Sequence, residues 1–158
     1  MIAPPAVTPL RPLLAAAPDV LSERAARHAQ LEQRYGGVLS IPMRADRPTV
    51  VSNFVSTLDG VVAYQTPEAA GGGEISGFFE PDRFVMGLLR SLADVVLIGA
   101  GTLRAGADER WTPDFIHPTS GAAFAELRSS LGLPPQPTTA VVTASGSLDF
   151  THPGLAGS

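Results

Sequence analysis

The chain contains no cysteine, which removes disulfides, thiolate metal ligands and a thiol nucleophile together and leaves the redox compartment open. Histidine is nearly as scarce: His28, His117 and His152 stand too far apart to suggest a ligand pair, so a metal site has no support. Long apolar runs are missing as well. The longest, over 93–100 and broken by Asp94, has the length of a strand, not the roughly 20 residues a bilayer span needs. The eleven basic residues are scattered against fifteen acidic ones, and a net charge of −4 gives no footprint for nucleic acid. Residues 1–20 hold Ala-rich apolar stretches, but prolines interrupt them and the basic residue follows them, unlike a signal peptide. These absences make neither nucleic acid nor a membrane the expected partner, and the expectation is a cytoplasmic protein that acts on a small molecule.

What is present fits one core: 158 residues, 44% of them hydrophobic and 16% charged. Residues 1–18, with five prolines, read as a loosely docked arm, and strong helix formers then run from Asp19 to Tyr35 before a Gly36–Gly37 stop. The arm and this helix make a first region, 1–40, ahead of a domain over 41–158. Between Pro48 and Asp59–Gly60 the β-branched stretch of 47–60 predicts a strand of about eight residues, followed by a Gly-rich loop to Gly77. Pro81 suits a first helical turn, and Phe84, Val85, Leu88, Leu89 and Leu92 recur at helical spacing over 81–92. The run 94–99 is apolar on both faces, the pattern of a buried parallel strand. A helix over 120–131 and a strand near 138–144 complete an α/β alternation with right-handed crossovers. Ligands then belong at the carboxyl ends of the strands, where 56–60, 99–104 and 143–146 are expected to converge.

Several residues at those ends carry two readings each. The turn Gly99-Ala100-Gly101-Thr102 is either a tight strand-to-helix connection or a seat for a phosphate. It completes no G-x-G-x-x-G fingerprint, since position 104 is Arg, and the chain holds no phosphate loop of the nucleoside-triphosphate type. Arg104 is a solvated arginine or a fork onto that phosphate. Asp82 is explained by the dipole of its own helix, yet it shares a face with Arg90, about 12 Å away at the helical rise, a span that can straddle a polar heterocycle. Asn53 places an amide in a row with Val51 and Val55 and needs a partner there. Asp59-Gly60 is first a turn signal. The loop over 69–77 connects, or closes over a ligand. Trp111 and Phe115 read as packing residues.

Taken together, "NFVSTLDGVVA" (53–63), the stretch from "ISG" at 75 through "DRFVMGLLRSLADVVLIGAGTLRA" and "AVVTASGSLD" (140–149) resemble the reductase domain of the bifunctional riboflavin-biosynthesis deaminase/reductase family. The resemblance implies a dihydrofolate-reductase-like fold, a three-layer sandwich on a mainly parallel sheet, incomplete at its C-terminus. It also implies an NADPH-dependent reduction of the ribosyl side chain of an aminouracil phosphate, with the cofactor supplying the hydride, and a homodimer. By the same likeness Asn53 and Asp82 are the catalytic candidates, and Asp59 and Arg90 meet the substrate. Val55, Ser76, Gly99, Gly101, Thr102, Arg104, Ala144 and Ser145 fall to the cofactor.

The chain departs from the family pattern in two places. It has Gly106-Ala107-Asp108-Glu109-Arg110 where the family continues with Asp-Asp-Pro, and Asn53 where the family offers Lys. A related pyrimidine or pterin-like substrate is therefore part of the expectation. The family domain also runs longer, so the expectation includes a truncated product or a chain completed by a partner. A non-catalytic nucleotide-binding or interaction fragment is the alternative to a reductase. A plain Rossmann-type oxidoreductase is disfavoured by the missing third glycine and by the lack of an acidic residue about 20 positions on.

Overall fold

The helix formers that precede Gly36 turn helical only at Ala29, giving α1 (Ala29–Tyr35), in a computed structural model that describes residues 8–10, 23–62 and 72–155. Just upstream, where the sequence predicts the same helix, Glu23–Ala25 is instead a short strand, β1, paired antiparallel with β2 (Ser40–Pro42). Helix propensity is a weak prior, and a ladder partner overrides it here. Ala26 and Leu31 are buried, and Gly36 closes α1 in the left-handed conformation with its N–H on the Glu32 carbonyl. These elements belong to the first of two compact units, 1–50; the second is 51–158.

In the second unit the helical spacing read over 81–92 becomes α3 (Glu80–Leu92), after a short α2 (Gly72–Ser76) where a loop to Gly77 is predicted. The call of a loop over 63–71 lies outside the described residues. Phe84, Gly87, Leu88, Ser91 and Leu92 form the buried face of α3. Against it pack α5 (Pro113–Ile116) and α6 (Gly121–Ser130), the latter starting from a 3-10 turn over Pro118–Ser120. Phe84 and Phe124 stack with centroids 6.1 Å apart, a contact possible because Gly87 presents no side chain. A Cβ on Gly87 would meet Phe124 Cε2 at 2.7 Å.

β3 (Val95–Gly99) follows α3 and pairs in parallel with β4 (Thr138–Val142), Val95 opposite Thr138 and Gly99 opposite Val142. The parallel pairing matches the reading, but burial does not: Val95 and Leu97 are 52% and 65% exposed, while Val96 and Ile98 alternate with them half-buried. An all-apolar run signals an apolar environment on both faces, and among the described residues one face is covered. The predicted strand over 47–60 is also absent. Residues 51–56 join no ladder with β3 or β4, and Val51, Phe54, Leu58 and Val62 are exposed, because β-branched residues favour a pleated surface only where a neighbouring strand supplies one. The described architecture is thus mixed α/β, as expected, with two two-stranded sheets among the described residues. No helix among the described residues is long and apolar enough to cross a membrane.

Replacing Gly87 by Ala should lower unfolding stability by about 1–3 kcal/mol through overpacking between α3 and α6, read from the midpoint of chemical denaturation. An unchanged midpoint would show that the two helices are not in such close contact.

Candidate functional site

In-phase pairing brings the carboxyl ends of β3 and β4 to one edge. There β3 runs straight into α4 (Ala100–Ala105), and β4 into a turn over 143–147. In α4 the apolar Ala100 and Leu103 point inward and are buried, which leaves Gly101, Thr102 and Arg104 exposed. Gly99 has φ −84° and ψ 151°, ordinary extended backbone, and a Cβ built on Gly99 or on Gly101 meets nothing within 4 Å. Neither glycine answers a demand of the fold, in contrast to Gly87. What they leave is bare backbone on an open edge, beside a hydroxyl and a guanidinium. Those residues fit a phosphate-bearing cofactor.

Across the same edge the turn after β4 holds itself together. Gly146 N–H donates to Thr143 Oγ1 at 3.2 Å and Ser147 N–H to Ser145 Oγ at 3.3 Å, with Ala144 and Ser145 exposed. Six sequence-predicted residues, Gly99, Gly101, Thr102, Arg104, Ala144 and Ser145, therefore share one edge of the parallel pair.

The remaining candidates lie elsewhere. Asn53 is exposed, as is Val51, so its amide meets water and not the apolar row that the sequence suggests; Val55 is half-buried. Asp59 serves its own turn. Thr57 Oγ1 donates to Asp59 Oδ1, Thr57 N–H to the Val61 carbonyl at 2.9 Å and Gly60 N–H to the Thr57 carbonyl at 3.0 Å. The expected convergence of 56–60 with the other two strand ends is not supported by any ladder. Ser76 ends α2, its hydroxyl donating to the Gly73 carbonyl at 3.2 Å.

Asp82 sits half-buried in the first turn of α3. Arg90, two turns further on, directs Nη1 to the Thr112 carbonyl at 3.5 Å. Burial lowers its pKa to about 10, and the charge of Glu109 acts in the opposite direction. It remains a cation at neutral pH, and the loop before α5 holds it.

Two groups that the sequence reading set aside turn out to be buried joints. His117 pairs through Nε2 with Glu80 Oε1 and lies edge-on to Phe84, with centroids 5.6 Å apart, so it fastens the start of the 118–120 turn to the start of α3. His152 stacks on Trp111. No local signal reveals either pairing, since the partners are distant in sequence. Trp111 is buried as expected, whereas Phe115 is largely exposed. A shallow cleft of about 220 Å³ between α5, α6 and the stretch before β4, lined by Pro113, Asp114, Phe124, Arg128 and Gln136, contains none of the candidates.

The family model of the RibD C-terminal domain matches residues 48–156, well over half of the chain and the whole of the edge described above. It is the family of the resemblance drawn from the sequence. No curated protein and no solved structure matches the chain.

Because nothing packs against them, Gly99→Ala and Gly101→Ala should leave unfolding stability unchanged or raise it by up to about 1 kcal/mol. A loss of more than about 1 kcal/mol in either variant, measured by urea denaturation, would mean that the fold itself requires glycine there.

Proposed function

The chain belongs to the RibD C-terminal domain family, the reductase domain of riboflavin-biosynthesis proteins, and on that premise we propose that it is an NADPH-dependent reductase of an aminouracil ribosyl phosphate or a related pyrimidine or pterin-like substrate. The observation that carries this reading is the open backbone at Gly99 and Gly101, which no packing explains, flanked by exposed Thr102 and Arg104. When bound, NADPH supplies the hydride.

The chain's own share is binding and orientation. The Thr102 hydroxyl would donate to a phosphate oxygen of the cofactor, and the Arg104 guanidinium would fork onto it. Ala144 and Ser145, across the edge, border the adenosine side. Val55, Asn53 and Ser76 would border the nicotinamide half of the cofactor, Asp82 and Asp59 would hydrogen-bond N–H and O–H groups of the substrate, and Arg90 would meet its phosphate. A cation such as Arg90 suits a phosphate dianion, and its pKa of about 10 keeps it charged through the working range.

One observation favours a second reading, a nucleotide-binding module without turnover: the segment bearing Asn53 stands outside the sheet, with Phe54 79% exposed. Titrating the protein into NADPH should shift the cofactor's emission, and Thr102→Val should weaken binding roughly three- to tenfold, the worth of one hydrogen bond, with stability retained. No response at about millimolar NADPH rejects both readings. Binding without NADPH oxidation across aminouracil, pyrimidine and pterin substrates selects the second.

A further inference from the structure

The turn near residue 152 carries a buried histidine with both ring nitrogens engaged. His152 Nε2 lies 2.8 Å from the Gly106 carbonyl, and Gly154 N–H donates to Nδ1 at 3.0 Å. An amide N–H only donates and a carbonyl only accepts, so Nδ1 bears no proton and Nε2 does: the ring is the neutral Nε2–H tautomer. Its face stacks on Trp111, the sole tryptophan of the chain, with centroids 5.7 Å apart and planes at 28°. The turn is keyed into the loop closely enough that a Cβ on Gly154 would meet Trp111 Cζ3 at 2.3 Å and the Glu109 carbonyl at 2.8 Å.

The loop so gripped joins two parts of the proposed site. At one end, Gly106 N–H bonds the Thr102 carbonyl at 3.1 Å and closes α4, the helix of Thr102 and Arg104. At the same end, Gly106 O takes both His152 Nε2–H and the Glu109 N–H, the latter at 2.9 Å. At the other end stand the Thr112 carbonyl and the Glu109 charge that face Arg90.

We propose that His152 is a positioning residue: its neutral ring clasps the 106–112 loop and so fixes the end of α4 for nucleotide binding, and protonation of the ring opens the clasp. The nucleotide clause rests on the function proposed above; the clasp itself does not.

A proton on Nδ1 would set donor against donor at Gly154 in a buried place, where an unmade hydrogen bond carries its full cost. Asp149, on the ring's own turn, interacts with it through its charge, and the opposing loop carries Asp108, Glu109 and Arg110, all four exposed. Asp149 accepts the Thr151 hydroxyl at 2.6 Å and its N–H at 2.9 Å, which hold its carboxyl below the ordinary 3.8. A depressed carboxyl stabilises above its unfolded value and loses that contribution only as pH falls through the lowered one, so Asp149 stays an anion while histidines titrate. Its pull on an imidazolium acts through solvent and is screened.

Trp111 emission, followed as pH falls from about 8 to the onset of acid unfolding, reads the clasp directly, because opening it takes the ring off the indole on which it stacks. The wild type should show a single-proton step that is lost in His152→Gln, a variant that keeps a neutral donor at the Nε2 position and has no titrating ring. Absence of the step, or its persistence in His152→Gln, overturns the clasp. Across the same step the Kd for NADPH should rise about three- to tenfold in the wild type and stay flat in His152→Gln. A flat wild-type profile with NADPH bound overturns the positioning role. Should NADPH bind neither protein at any pH, the proposed function fails, while the emission step still decides the clasp.

Discussion

One buried guanidinium sets the geometry on which the second unit depends. Arg128 of α6 donates through Nη1 to the carbonyls of Arg90 at 3.3 Å, Ser91 at 3.2 Å and Ala93 at 2.8 Å, and through Nε to that of Pro134 at 2.7 Å. The first three close the C-terminal turn of α3, whose last carbonyls have no partner within the helix. Pro134 lies on the approach to β4. A single side chain thus ties together the chain just before each strand of the parallel pair, and the Thr138 N–H bond to the Asp94 carbonyl at 3.0 Å completes the alignment. The task suits arginine: its donors are planar and fixed, and its charge persists at any ordinary pH, whereas lysine offers a single point of attachment.

Starting the strands together makes them finish together. Because Val95 pairs with Thr138, Gly99 pairs with Val142, and the two turns that follow emerge side by side. The aromatic joint of Phe84, His117 and Phe124 fixes the helices beneath, with Glu80 and the Thr119 hydroxyl satisfying the buried ring of His117. The edge that carries α4 and the 143–147 turn inherits its position from the far end of the strands.

Much of this was open to the sequence, and the losses have specific causes. α3 and β4 were legible because periodicity and bounding residues agree: Phe84, Leu88 and Leu92 repeat at helical spacing behind Pro81, and the β-branched run at 138–142 follows a proline-rich stop. The parallel pairing followed from their alternation. For 47–60 and for the outer face of β3, composition spoke to propensity, while a strand or a buried face exists only where a neighbour arrives, which no local pattern records. Glu23–Ala25 shows the same rule in reverse, with a ladder overruling helix formers. At the strand ends, Gly99, Gly101, Thr102 and Arg104 are visible as a motif, while the burial expected of Asn53 depends on a sheet that the described residues do not build around it. The histidine joints were invisible, since both are made of residues far apart in the chain.

The contrast among the glycines has an evolutionary consequence. Gly87 and Gly154 are held by atoms already in the molecule, so selection for folding alone keeps them. Gly99 and Gly101 face open space, where stability is indifferent to a methyl group. Packing among the described residues thus leaves these two positions open to a side chain, while Gly87 and Gly154 are closed to one.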